Sequence, residues 1–188
     1  MLGTCNSMTT PEYKIDVSYY ESAIKEDELG RVIRTHLHIE YLVDQLLGLH
    51  FKEPTVLYAM RLEFSDRVKL LSAFGYEKHL TQPLLALGTL RNEFAHKLNY
   101  KLTADRMDNF YKTLDADAKQ MAQRVYEQTR ASHKKENLPM NVRRLPPADQ
   151  FALYVTTIRA SLIAAYYNEA DAFPAGIRPR GQPSSATG

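Results

Sequence analysis

The sequence predicts an all-α protein, a single helical bundle of five to seven helices. Apolar residues recur at intervals of three and four, which is the spacing of amphipathic helices, and only 8 glycines interrupt the 188 residues. A chain of this length has room for one domain, and 44% apolar with 24% charged residues is the composition of a folded globule. We predict a helical domain over 16–172, between a flexible N-terminus (1–15) and a disordered tail (173–188).

Charge and composition exclude several classes of protein. Lys and Arg number 24 against 22 Asp and Glu, so any nucleic-acid surface must be local. Cys5 is the only cysteine, which excludes an intramolecular disulfide and a cysteine-based zinc site. The start of the chain has no signal-peptide pattern and no stretch is apolar enough to span a bilayer, so we expect a cytoplasmic protein without membrane contact. Phosphate-loop and metalloenzyme motifs are missing as well, so we expect no metal and no cofactor.

The first clear helix is predicted over Glu28–Gly48, preceded by a shorter one that begins after Asp16. Its wide apolar face predicts burial of one stripe, formed by Leu29, Ile33, His36, Glu40, Val43 and Leu47. His36, Glu40 and Asp44 are each one turn apart. One helix supplies too few ligands for a metal, so a hydrogen bond between His36 and Glu40 is favoured. A buried Glu40 carboxylate needs a partner, and we expect His36 first, then Arg91, then Arg34.

Four further helices follow in the sequence pattern. Ser65 is the predicted N-cap of a short helix that ends before Gly75, and Thr81 with Pro83 predicts the start of the next. Thr103 opens a long helix to about Arg130 with near-heptad apolar spacing. A loop rich in proline is predicted over 131–147, and a last helix runs from about Ala148 to Ala170, with one apolar side.

One short segment carries residues suited to chemistry. Arg91 and His96 lie five positions apart on a predicted helix, about 140° apart around its axis, whereas Asn92 and His96 share a face. Arg91 and His96 can therefore meet only if the helix is irregular or a second copy supplies one of them across a two-fold dimer. The pattern alone favours a structural ion pair and a packed histidine.

The alternative for this segment is metal-independent cleavage of RNA. His96 would move a proton to or from the 2′-hydroxyl or the leaving oxygen, because a histidine titrates near neutral pH. Arg91 would hold the phosphate and stabilise its charge in the transition state, and Asn92 would orient the phosphate or the imidazole.

The segment RNEFAH resembles the Arg-x4-His motif of the HEPN superfamily, which includes ribonuclease toxins and noncatalytic relatives. The run from Phe64 to Leu71 with Gly75, followed by Leu87 to His96, is similar to the mannitol operon repressor (MltR-like) family within it. The resemblance covers about Leu29 to Asn99. It implies a helical bundle, a homodimer and a regulatory protein acting through protein contacts. It also implies that Arg91, Asn92 and His96 match the positions that ribonuclease members use.

The resemblance has one departure and leaves other charged residues open. Tyrosine-regulated toxins carry a tyrosine two residues after the histidine, whereas Leu98 stands there and the tyrosine is Tyr100. Arg67 and Lys69 are candidate phosphate contacts, but on a short amphipathic helix they are interpreted as a solvated face. The basic residues near the proline-rich loop are candidate RNA contacts through counterion release or simply a solvated loop; they are Lys134, Lys135, Arg143 and Arg144.

Overall fold

In a computed structural model of the chain, residues 27–97, 100–133 and 138–172 are described here. They form seven α-helices and one 3-10 turn, and the described residues contain no strand, which confirms the predicted all-α bundle. The helices are α1 (Glu28–Gly48), α2 (Thr55–Ala59), α3 (Phe64–Ala73), α4 (Lys78–His96), α5 (Ala104–Thr113), α6 (Ala116–His133) and α7 (Pro147–Ala172), with the 3-10 turn at Val142–Arg144. The two predicted termini and the helix after Asp16 lie outside the described residues.

Helix α7 is the centre of the bundle. Its residues 151–155 are five in succession with no exposed surface, so other elements surround this stretch on all sides. The expectation that only one side of the last helix is apolar is therefore wrong. Helix α1 runs parallel to α7, because Arg31 lies 3.7 Å from Asp149 at one end and His50 lies 3.9 Å from Glu169 at the other.

Helices α3 and α4 cover a second side of α1. They form a hairpin whose turn needs Gly75, which has φ +98°, a backbone conformation that side chains with a Cβ rarely adopt. Gly88 on α4 permits close packing of the start of α3, since a Cβ there would lie 3.0 Å from the Phe64 ring. The α4 end of this hairpin returns to the start of α1, where the Glu28 carboxylate accepts a hydrogen bond from the Leu102 N–H.

Two predicted helix starts are wrong by a few residues. Helix α3 begins at Phe64, with Glu63 rather than Ser65 as its N-cap residue. Helix α4 begins at Lys78, so Pro83 lies inside it and removes one backbone hydrogen bond. The Thr81 hydroxyl donates to the Glu77 carbonyl in the first turn instead of capping the helix.

The predicted long helix is two helices. Thr103 caps its start as expected, but α5 ends at Thr113 and Leu114 is extended. The Asp115 carboxylate accepts a hydrogen bond from the Ala118 N–H and so caps α6. Leu114 is 2% exposed and stays in the core across this corner, which is why the apolar spacing continues through the break.

The proline-rich region is shorter than predicted. Helix α6 extends to His133, and α7 begins at Pro147, where the missing proline N–H has no helical partner to lose. Between them the 3-10 turn is held by the Asn141 side chain, which accepts a hydrogen bond from the Arg143 N–H.

Candidate functional site

Helix α4 positions Arg91, Asn92 and His96. Its buried face, which includes Leu87, Leu90 and Phe94, packs into the core, and the helix is continuous to His96. The helix is therefore regular between Arg91 and His96, and these two side chains leave it about 140° apart. Asn92 and His96 are both exposed on one face, as the sequence predicts, while Arg91 is half-buried at the edge of the core-facing side.

Among the described residues, neither Arg91 nor His96 forms an ion pair with a carboxylate. The Arg91 guanidinium donates to the Asn92 side-chain oxygen at 3.2 Å, and within the described part of the chain it forms no ion pair. His96 is the last residue of α4. Its side chain is exposed and has no hydrogen-bond partner among the described residues. The two side chains thus neither share a cleft within one chain nor lie buried in ion pairs.

A buried histidine lies next to Arg91 in the bundle. His36 on α1 is 5% exposed, and its ring packs against Phe64 with centroids 4.5 Å apart. Burial lowers the pKa of His36, and the positive charges of Arg91 and Arg67 lower it further, while Glu40 opposes them. His36 Nδ1 lies 3.7 Å from a Glu40 oxygen, so the two side chains are neighbours as predicted, but the predicted hydrogen bond between them is not formed.

The lowered pKa of His36 makes the stability of the fold depend on pH. In the unfolded chain this ring takes up its proton near pH 6.5, above its folded pKa, so stability is lost as the pH falls from 6.5 through the folded pKa. We expect wild type to lose more stability than His36→Gln between pH 7.5 and 5.5, measured by urea unfolding. An equal loss in the two proteins contradicts this assignment.

The main partner of Glu40 is Arg67, not one of the three residues predicted. The Arg67 guanidinium on α3 donates to Glu40 at 3.0 Å and to Asp44 at 2.9 Å. Arg67 is only 17% exposed in its side chain, so the interpretation as a solvated face is wrong for this residue. It holds for Lys69, whose 70% exposed side chain pairs with Asp66.

The cluster of Glu40, Asp44 and Arg67 is not fully satisfied. One Asp44 oxygen and the Arg67 Nε are buried without a hydrogen-bond partner. Burial raises the pKa of Asp44, with Glu40 adding to the rise and Arg67 opposing it. Both carboxylates bind the same Arg67 nitrogen, Nη1, so these charges join α1 to α3.

A second ionic cluster fills the α5 side of α4. The Glu93 carboxylate accepts a hydrogen bond from the Tyr100 hydroxyl at 2.6 Å and pairs with Arg106 at 2.6 Å. Burial and Glu93 raise the pKa of Tyr100 to about 12, so this tyrosine stays protonated at neutral pH. Sequence reasoning noted Tyr100 only as a displaced tyrosine and missed Glu93, although a carboxylate between Arg91 and His96 was visible in the motif.

The outer face of α1 carries an apolar stripe that the rest of the bundle leaves uncovered. We define the α1 stripe as Leu29, Ile33, Leu37 and Tyr41, four residues spaced one turn apart. Leu29, Leu37 and Tyr41 are 52%, 58% and 62% exposed, and Ile33 is half-buried. The expectation that Leu29 lies in the buried face is therefore wrong, whereas Val43 and Leu47 are fully buried as predicted.

Two of the four predicted RNA contacts can be located. Arg143 and Arg144 are exposed at the 3-10 turn, far along the chain from α4, and Lys134 and Lys135 lie outside the described residues. The turn borders a recess of about 390 Å³, lined by Ala104, Asp108, Asn141, Arg143, Arg144 and Gln150.

No family model, curated protein or solved structure matches this chain. Within 27–97, 100–133 and 138–172, no three His, Cys, Asp or Glu side chains are grouped as a metal site. None of the helices in these ranges combines the length and the apolar character that crossing a membrane requires.

Proposed function

We propose that this chain is a cytoplasmic HEPN-like regulatory protein of the MltR-like type, which forms a homodimer and acts through protein contacts. The observation that supports a homodimer and protein contacts is the α1 stripe, on which three large apolar side chains are about half or more exposed. Isolated exposed apolar residues are common, but a contiguous row on one helix face is typical of an interaction surface.

A second copy of the chain fits the α1 stripe for a geometric reason. Two-fold symmetry pairs one surface with itself, and an apolar row along a straight helix is self-complementary in that way. The stripe also lies next to the edge of α1 that carries His36 and Glu40, and Arg91 acts electrostatically on His36. A dimer formed through the stripe therefore brings the partner close to Arg91.

A charge in the α1 stripe is expected to break the dimer. Leu37→Glu places a carboxylate where the proposed contact excludes water, and we expect at least a tenfold weaker association, measured by sedimentation equilibrium over a range of concentrations. Gln120→Glu is the matched control, because Gln120 is exposed on α6 and the same charge there leaves the stripe intact.

The same pair of variants tests the regulatory part of the proposal. A regulatory partner that binds through the stripe should lose binding to Leu37→Glu and keep it with both Gln120→Glu and His96→Ala. A wild-type chain that stays monomeric at all concentrations, or a dimer that Leu37→Glu leaves intact, contradicts the proposed surface.

The second candidate function is a metal-independent endoribonuclease. It is favoured by the absence of a carboxylate on either Arg91 or His96 among the described residues, which leaves the guanidinium and the imidazole available to RNA. In the reaction, the 2′-oxygen bonds to phosphorus while the bond from phosphorus to the 5′-oxygen breaks, and His96 transfers the proton that one of these oxygens loses or gains. Arg91 stabilises the phosphate charge and Asn92 orients it.

This second function requires the dimer as well. Because α4 is continuous between Arg91 and His96, each active site would combine Arg91 of one chain with His96 of the other. Lys134, Lys135, Arg143 and Arg144 are then candidate RNA contacts outside the reacting centre.

A further inference from the structure

We propose that the recess beside the 3-10 turn binds a phosphomonoester, the singly esterified phosphate group of a small metabolite or of an RNA 5′ end. The recess is built from the start of α5, the 3-10 turn and the start of α7, and its volume of about 390 Å³ lies in the range of small-molecule sites. Its lining includes neither Arg91 nor His96 nor a residue of the α1 stripe. Arg143 and Arg144 are also the candidate RNA contacts named above, but binding of a small phosphate is measured without RNA cleavage and without a dimer, so the inference fails or stands on its own.

The charge of the recess is positive and is not cancelled from within. Two guanidiniums, those of Arg143 and Arg144, face one carboxylate, that of Asp108. Asp108 pairs with Arg143 at 2.8 Å, whereas the Arg144 guanidinium has no hydrogen-bond or ion-pair partner in the described part of the chain. One positive charge is therefore left for an anionic ligand, and guanidiniums bind phosphate through parallel hydrogen bonds.

The Arg143 side chain and the backbone of the turn that carries both arginines are held in place by their surroundings. The Arg143 guanidinium lies over the Tyr111 ring, 5.1 Å from its centroid, as well as against Asp108. Below the turn, the buried Gln150 amide donates to the carbonyls of Arg143 and Leu145. A turn fixed in this way loses little conformational entropy when a ligand binds, which favours affinity.

The remaining polar groups complete a phosphate and hydroxyl pattern. The Asn141 oxygen is used by the Arg143 N–H, and its amide nitrogen has no acceptor among the described residues, so it is a further donor toward the recess. The second Asp108 oxygen is an acceptor suited to a hydroxyl group. A sugar phosphate fits these groups, because its phosphate oxygens accept hydrogen bonds from the donors and its hydroxyl groups donate to the acceptor.

Calorimetric titration of the full chain with inorganic phosphate and with ribose 5-phosphate tests the site. We expect millimolar or tighter binding of ribose 5-phosphate, and at least a tenfold loss in Arg144→Gln, which removes no side-chain hydrogen bond or ion pair among the described residues. Arg124→Gln is the matched control, because Arg124 is exposed on α6 and does not line the recess. Asp108→Asn removes the competing carboxylate and should tighten inorganic phosphate binding several-fold.

Arg144→Gln is expected to weaken binding and Asp108→Asn to tighten it, so the two variants together test the site. Equal losses in Arg144→Gln and Arg124→Gln, weaker phosphate binding in Asp108→Asn, or no binding to wild type up to ~10 mM overturn the proposal. Competition with two oligoribonucleotides distinguishes the sources. Displacement of ribose 5-phosphate by a 5′-phosphorylated strand but not by its 5′-hydroxyl form assigns the site to RNA ends, and displacement by neither assigns it to a small metabolite.

Discussion

Replacing Arg67 by methionine is expected to lower the free energy of unfolding by about 3 kcal/mol. The substitution keeps most of the side-chain volume but removes the guanidinium that binds both Glu40 and Asp44. The Glu40 and Asp44 side chains are 26% and 12% exposed, so in the variant water replaces the lost guanidinium only in part. The two negative charges then repel each other. Urea unfolding at pH 7 measures the loss, with Lys69→Met on the same helix as a control expected to change stability by less than ~0.5 kcal/mol.

The loss in Arg67→Met should depend on pH and on the two acids. Burial already raises the pKa of Asp44, and Arg67 is the group that opposes this, so the variant raises it further. A carboxyl group whose folded pKa exceeds its unfolded value gains stability as the pH falls through the folded pKa, so the deficit should shrink on acidification. Adding Glu40→Gln and Asp44→Asn should restore most of the stability at pH 7. An Arg67→Met protein as stable as wild type contradicts this account.

The elements that the sequence predicts well are those whose signals are local. Helix α1 occupies the predicted range, because Asp27 accepts a hydrogen bond from the Gly30 N–H and the apolar period runs uninterrupted to the end. The apolar spacing does not indicate the break at Leu114, because a buried residue at a helix break keeps the spacing of a continuous helix. Asp115 at the start of α6 is the local signal that marks it.

The central position of α7 has a local signal too. The consecutive residues Phe151 to Val155 contain no charged side chain, and a helix that is apolar around its whole circumference is buried on every side. Apolar spacing at intervals of three and four predicts only one apolar side for this segment, whereas the composition of each full turn indicates burial all round.

The candidate site depends on contacts that the sequence does not encode locally. The row of His36, Glu40 and Asp44 implies a nearby cation, but Arg67 lies 23 residues beyond Asp44 and no spacing rule links them. For Arg91 and His96 the prediction went further, because the angle between two residues on one regular helix follows from their separation alone. The sequence therefore predicts that the two side chains meet only if the helix is irregular or a second chain supplies one of them, and the continuous α4 removes the first alternative.

The ribonuclease candidate predicts the largest change in activity. His96→Ala should reduce RNA cleavage by about 10² to 10⁴-fold, the usual contribution of a general acid or base, with an unchanged helical spectrum and no effect of chelator on wild type. His79→Ala is the matched control. His79 is an exposed histidine at the other end of the same helix, paired with Glu77, and its loss should leave cleavage unchanged.

A mixing experiment then decides whether two chains build each site. Arg91→Ala and His96→Ala are each expected to be inactive alone. Co-refolded in equal amounts, half of the dimers contain one chain of each kind, and one of the two sites in such a dimer keeps both Arg91 and His96, so about a quarter of wild-type activity should return. Mixing that restores nothing while the dimer is intact contradicts a shared site. If wild type cleaves no RNA at all, the enzyme candidate fails, and the α1 stripe still carries the proposed role in protein contacts.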